Sequence, residues 1–346
     1  MWNFGKKIGS LVVGTLLVCT LGTGVAAAET DRPRTGELST PALVYDGDPG
    51  SDDAFALFLL KQNGKVPDLV LATFGNAPEK QTYANAALVT RALDMKVTVL
   101  PGADRPYKGK KWKNGKDGFN GEDGLYGISE AWRKKLGLSR NQLESSVDLA
   151  LTKKQLKQRH HITYLATGPL STLANLLQDP DIKSRIGRVW IVGGNLWEDP
   201  GDPEEKANFS RDPRAVEQVL KSGLDITLFP LNLTNSQIVD EPEIQKLAGY
   251  GTYPEFLELL RGNQAAHAQR GMENAAVLHD IFPVLYLLDA GKFTGEDKKL
   301  AVDTRTGALT EAPDGATVHV VLGVNPRTQW RALERAFQNH GADSRP

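Results

Sequence analysis

The chain has 346 residues, of which 40% are hydrophobic and 24% charged, with a formal net charge of −1 at pH 7. That is enough chain for one large buried core or two small ones. The near-neutral balance excludes broad electrostatic binding to nucleic acid or to an anionic membrane.

Met1 to Lys7 carries two lysines, Ile8 to about Val25 is apolar, and Ala26-Ala27-Ala28 is small. This order predicts a signal peptide over residues 1–28, cleaved after Ala28, and an exported protein that is secreted or periplasmic. No basic stop-transfer cluster follows, so no membrane partner is expected after cleavage. Cys19 is the chain's single cysteine and lies inside this segment. The mature chain, with a formal charge of −3, would hold together by its core without disulfides. Residues 29–40 are polar with one proline, Pro33, and read as a disordered leader. A single domain is expected over residues 41–341.

Leu43-Val44-Tyr45 reads as the end of a buried strand, and Ala54 to Leu60 as a helix stopped near Asn63-Gly64. Between them Asp46, Asp48, Asp52 and Asp53 place four carboxylates within eight residues. Ser51 is a candidate N-cap, which puts Asp52 and Asp53 in the first helical turn, where the helix dipole favours the ionised form. Four converging anions call for a positive partner, and carboxylate oxygens suit a hard cation such as calcium or magnesium.

Further apolar strands read at Leu69–Phe74, Val97–Leu100, Ile162–Ala166, Val189–Val192, Ile226–Leu231 and Val318–Leu322. Helical patterns lie near Glu79–Leu93, Gln142–Gln158, Leu170–Leu177 and Pro213–Lys221. The alternation predicts an α/β fold: a doubly wound, mostly parallel open sheet with helices on both faces. Asn76, Thr167, Asn195, Asn232 and Thr234 each follow a strand. In such a sheet ligands bind at the carboxyl ends of the strands.

The stretch Asp46-Gly47-Asp48-Pro49-Gly50-Ser51-Asp52-Asp53-Ala54 resembles the DxDPGxDDA signature of the inosine–uridine-preferring nucleoside hydrolases. The resemblance continues along nearly the whole mature chain. Thr73-Phe74-Gly75-Asn76, Leu100-Pro101-Gly102-Ala103-Asp104-Arg105-Pro106, Gly121-Glu122-Asp123-Gly124-Leu125, Ala166-Thr167-Gly168-Pro169-Leu170-Ser171, Asn208-Phe209-Ser210-Arg211-Asp212-Pro213 and Leu278-His279-Asp280 are similar to its later motifs. It implies hydrolysis of the N-glycosidic bond of ribonucleosides to ribose and free base. One calcium ion would be held by Asp48, Asp53, Asp280 and the Thr167 carbonyl, with Asp48 activating a calcium-bound water. Asp52, Asn76 and Asn208 would bind the sugar, and His279 would protonate the departing base. A homodimer or homotetramer remains compatible with the chain.

Three positions depart from the family pattern. Asn120 stands in place of a histidine and Lys206 in place of a ribose-binding glutamate. Pro200 replaces an asparagine, for which Asn195, Asp199 or Asp202 could substitute. Asn232-Leu233-Thr234-Asn235 is closer to the purine-preferring branch and His279 to the inosine–uridine branch. The competing non-enzymatic reading is an exported nucleoside- or sugar-binding protein on a hydrolase fold that has lost catalysis. Lys108 to Lys116 holds five lysines in nine residues. It is read either as a solvated loop or as a lid with Trp112 or Phe119 stacking on the base.

Overall fold

The structure is a computed structural model that describes residues 41–109, 119–144, 148–196 and 207–339. The expected signal peptide and leader, Trp112 with most of the lysine-rich loop, and Asp199 to Lys206 lie outside the described residues. Among the described residues no helix is long and apolar enough to cross a membrane.

Leu43–Gly47 (β1), Leu69–Ala72 (β2), Thr98–Pro101 (β3), Ile162–Ala166 (β4), Ile186–Val192 (β5) and Ile226–Phe229 (β6) are short, mostly buried runs, rich in aliphatic residues. Strands covered on both faces need no polar alternation. Val239–Asp240 (β7) and Ala275–Ala276 (β8) form a separate antiparallel pair, and Phe293–Val302 (β9), Leu309–Glu311 (β10) and Ala316–Val324 (β11) complete the set. Among the described residues the main sheet has nine strands in the order β10-β9-β11-β6-β5-β4-β1-β2-β3. It is parallel from β3 through β11, and β9 and β10 add antiparallel pairings at the other edge.

The doubly wound, mostly parallel sheet is therefore as expected. β9 was not foreseen, because its sequence, Phe293-Thr-Gly-Glu-Asp-Lys-Lys-Leu-Ala-Val302, is largely polar and exposed and shows no apolar run. The helix expected over Gln142–Gln158 is shorter: it spans Leu149–Leu156, and Arg140–Leu143 is a separate 3-10 turn. Asp148 starts it by accepting the Ala150 N–H at 2.8 Å. The strand expected to reach Leu231 ends at Phe229, because Pro230 leads into a short helix, Leu231–Thr234.

Helix Ser51–Gln62 (α1) is buried all round, with Ala54 to Leu60 fully inaccessible. It lies between the sheet and an outer layer of helices, which explains the lack of a polar face. Phe58 stacks on Phe256 at 4.5 Å and meets Phe337 edge-on at 5.4 Å. Burying each such ring contributes roughly 1.5–3 kcal/mol. A second core, with Leu173, Ile182, Val216 and Val219, covers the opposite sheet face. Strand order reverses between β1 and β4, so the loops after these two strands diverge and leave a crevice.

Candidate active site

The crevice is built first by the turn after β1. Gly50, rather than Ser51, is the N-cap of α1, and Asp53 at the third helical position accepts the Gly50 N–H at 3.1 Å. Ser51 therefore falls inside the first turn, and its Oγ donates to Asn120 Oδ1 at 3.1 Å. Asp53 Oδ1 also accepts from Tyr45 Oη at 2.7 Å and from Thr167 Oγ1 at 2.9 Å. One carboxylate thus joins β1, α1 and the loop after β4. Gly47 has to be glycine: a Cβ there would lie 2.1 Å from Asp53 Oδ1.

Asp52, Asp53 and Asp280 bring one oxygen each within 4.8 Å of one another. Asp53 and Asp280 are buried and Asp52 is half-buried. Burial, and then the charge of Asp53, pushes Asp52 up to about 7. Burial, and then the neighbouring aspartates, raises Asp280 and Asp48 well above the usual carboxylate range. Such mutual repulsion is relieved by a cation, and an all-oxygen donor set fits a hard divalent ion. Asp48 stands beside this trio rather than in it. Its Oδ2 accepts the Asn76 N–H at 2.7 Å and lies 3.7 Å from the Arg211 guanidinium. Gly75 packs directly on that carboxylate, and a Cβ there would come within 1.9 Å of Oδ2. Asp46 turns elsewhere. Tyr164 Oη donates to it at 2.7 Å, and burial, opposed by that bond, pushes it up to about 8.

The amides expected on the sugar also hold the site's own loops. Asn76 Nδ2 donates to the Asp48 carbonyl at 3.1 Å. Asn208 Nδ2 donates to the Thr167 carbonyl at 2.5 Å and to the Val192 carbonyl at 3.2 Å. Asn195 is buried just beyond β5, and Asn232 Oδ1 accepts from the neighbouring Leu196 N–H at 2.7 Å. His279 Nδ1 lies 2.7 Å from Thr234 Oγ1. Burial, with His267 beside it, pushes His279 down to about 3, so its ring is neutral in the free protein.

Three participants were missed from sequence. Tyr45 borders the first motif and Arg211 lies inside the stretch Asn208 to Pro213, but neither was given a role there. Asn263 lies in helix Pro254–Ala268, which was not foreseen. Its Nδ2 donates to Ser51 Oγ at 3.3 Å and its Oδ1 accepts the Val277 N–H at 2.8 Å. It therefore ties the acidic turn to the segment that carries His279 and Asp280. A buried asparagine on an otherwise apolar helix face was the available clue.

An acidic cluster at the switch point of a parallel sheet, where such sheets bind their ligands, is the arrangement of an α/β protein with carboxylates that could hold a cation. The family pattern described as inosine-uridine preferring nucleoside hydrolase matches residues 43–335. The non-specific ribonucleoside hydrolase RihC of Escherichia fergusonii is 28% identical over 310 residues, covering 87% of this chain and 97% of that protein. The pyrimidine-specific ribonucleoside hydrolase RihA of Klebsiella pneumoniae is 29% identical over 299 residues, covering 83% and 91%. A purine-preferring ribonucleoside hydrolase from Gardnerella vaginalis shares the fold with a TM-score of 0.74 at 21% identity, over 86% of this chain and 98% of that one. The chain belongs to the inosine-uridine preferring nucleoside hydrolase family and is, with it, a hydrolase of N-glycosyl bonds.

Proposed function

We propose that the protein hydrolyses ribonucleosides to ribose and free base with one calcium ion, and that it acts after export and cleavage behind Ala28. The observation that carries the reading is the convergence of Asp52, Asp53 and Asp280, with Asp48 beside them, at the sheet's switch point. Asp48, Asp53, Asp280 and the Thr167 carbonyl would hold the ion, which supplies Lewis acidity for the attacking water and an anchor for the sugar diol. Asp48 takes the proton of that water. The Asn76 N–H fixes the rotamer of its carboxylate for this task. Asp52, the most exposed of the trio, holds a sugar hydroxyl. Cleavage builds positive charge on the sugar ring, and the surrounding carboxylates stabilise it. His279, steadied by Thr234, hydrogen-bonds the leaving base and relays a proton from solvent to it, the ring taking up that proton as negative charge grows on the base.

The test is release of free ribose from inosine, adenosine, uridine and cytidine by the mature protein, with and without chelator. Calcium-dependent release is expected. Tight nucleoside binding without release would favour the binding-protein reading instead.

A further inference from the structure

Among the described residues, the Arg211 guanidinium is the one cation within ion-pair reach of the acidic turn or Asp280, at 3.7 Å from Asp48 Oδ2. The chemistry above gives it no part. Its side chain is 15% exposed and that of Asp48 2%, so water and salt screen the pair little. The chain fixes Arg211 from both sides. It ends the short helix Ala207–Arg211, on which Asn208 is tied to the Thr167 and Val192 carbonyls. The next residue, Asp212, accepts from the Ser171 hydroxyl and from the Tyr107 and Ala215 N–H groups, and starts helix Pro213–Leu220. The guanidinium is therefore a permanent charge at the site.

The two oxygens of Asp48 face different ways. Oδ2 takes the Asn76 N–H at 2.7 Å and the Arg211 contact. Oδ1 faces the turn after β4, where it would lie 3.0 Å from a Cβ placed on Gly168, the residue after Thr167. An ion held through Oδ1 leaves Arg211 in place, and one carboxylate then serves two cations. Cations that share a carboxylate repel each other, the more so where water is excluded. We propose that Arg211 is a standing counter-charge to Asp48, which steadies the empty site and weakens its hold on calcium. This rests on the calcium reading above. Arg211 then acts on the ion through Asp48, and sets how much calcium the protein needs.

The experiment compares the parent with Arg211→Gln, which keeps hydrogen-bond donors without the charge, and with Arg211→Lys, which keeps the charge. Calcium binding to the metal-stripped proteins is measured by calorimetry, and melting temperature with and without calcium. Arg211→Gln is expected to bind calcium roughly fivefold or more tightly than the parent. It should melt below the parent when stripped and gain more on loading. Arg211→Lys should stay within about twofold of the parent's affinity. Damage to packing alone would loosen the ion, so tighter binding is a result that a structural role does not give. If Arg211→Gln does not fold, Arg211→Met takes its place. Equal or weaker calcium binding by the uncharged variant would overturn the proposal, as would equal tightening in Arg211→Lys. Failure of the parent itself to bind calcium would overturn the calcium reading and the proposal with it, whereas binding by the parent that loss of the charge leaves unchanged overturns the proposal alone.

Discussion

The side-chain amide of Asn208 donates to the main-chain carbonyl of Thr167 at 2.5 Å. The carbonyl assigned to the metal is thereby held by the residue assigned to the sugar. Asn208→Ala removes this donor and the bond to the Val192 carbonyl together. The expected cost is about 1–3 kcal/mol of stability, with a higher calcium concentration needed for half-maximal activity. Thermal melting and a calcium titration check it. An unchanged calcium midpoint would leave Asn208 a purely structural tie.

Calcium should stabilise the fold by mass action, because Asp52, Asp53 and Asp48 crowd their charges on Asp280 without it. At one hundred times its Kd, a ligand contributes about 2.7 kcal/mol. The melting temperature is expected to fall with chelator and recover with added calcium. Equal melting temperatures for a sample loaded with calcium and for the same sample stripped of it would be incompatible with the site.

Asp48 and Asp52 should separate kinetically. Asp48→Asn loses the base for the water, and kcat is expected to fall by roughly 10²–10⁴-fold. Asp52→Ala loses a sugar contact and should act mainly on KM. Equal kcat losses in the two variants would show that the division of roles is wrong.

His279 is expected to matter most where the leaving group needs a proton. His279→Ala should slow inosine far more than p-nitrophenyl riboside, whose leaving group departs as a stable anion. Matching losses on both substrates would return His279 to positioning, through its contact with Thr234.

Asp123 organises the loop that carries Asn120 and Tyr126. Its side chain accepts from the backbone N–H groups of Leu125 at 2.9 Å, Gly127 at 2.8 Å and Ser129 at 3.1 Å. Burial pushes its carboxyl up, but the Ser129 hydroxyl together with these N–H donors outweighs it and holds it below the usual range. The unfolded chain therefore takes up this proton first as pH falls. The stabilisation is complete above the ordinary aspartate value of about 4 and is lost as pH falls from there through the folded-state value. Asp123→Ala should cost about 1 kcal/mol at neutral pH, as the loss of a comparable cap does, and less at strongly acidic pH. Denaturant unfolding of both proteins across that range checks it, and a difference independent of pH would refute the ionic origin.

Much of the site was legible in the residues themselves. Asp46 to Asp53 announced a strand, an acidic turn and a helix. The polar residues after the strands at Asn76, Thr167 and Asn195 pointed to one edge of a parallel sheet. These signals are local, because backbone periodicity and turn chemistry are written in neighbouring residues. What only the tertiary structure decided is which group each side chain meets. Asn76 and Asn208 fit sugar hydroxyls by type, yet their amides hold the Asp48 and Thr167 carbonyls, because packing the strand ends brings those oxygens within reach. Ser51 fits an N-cap by type, yet the backbone begins the helix at Gly50 and frees its hydroxyl for Asn120. Asn263 and His267 come from a helix more than two hundred residues beyond the acidic turn. No pattern along the chain reveals that their face closes over it, since that contact exists only once α1 is buried between the sheet and the outer helices.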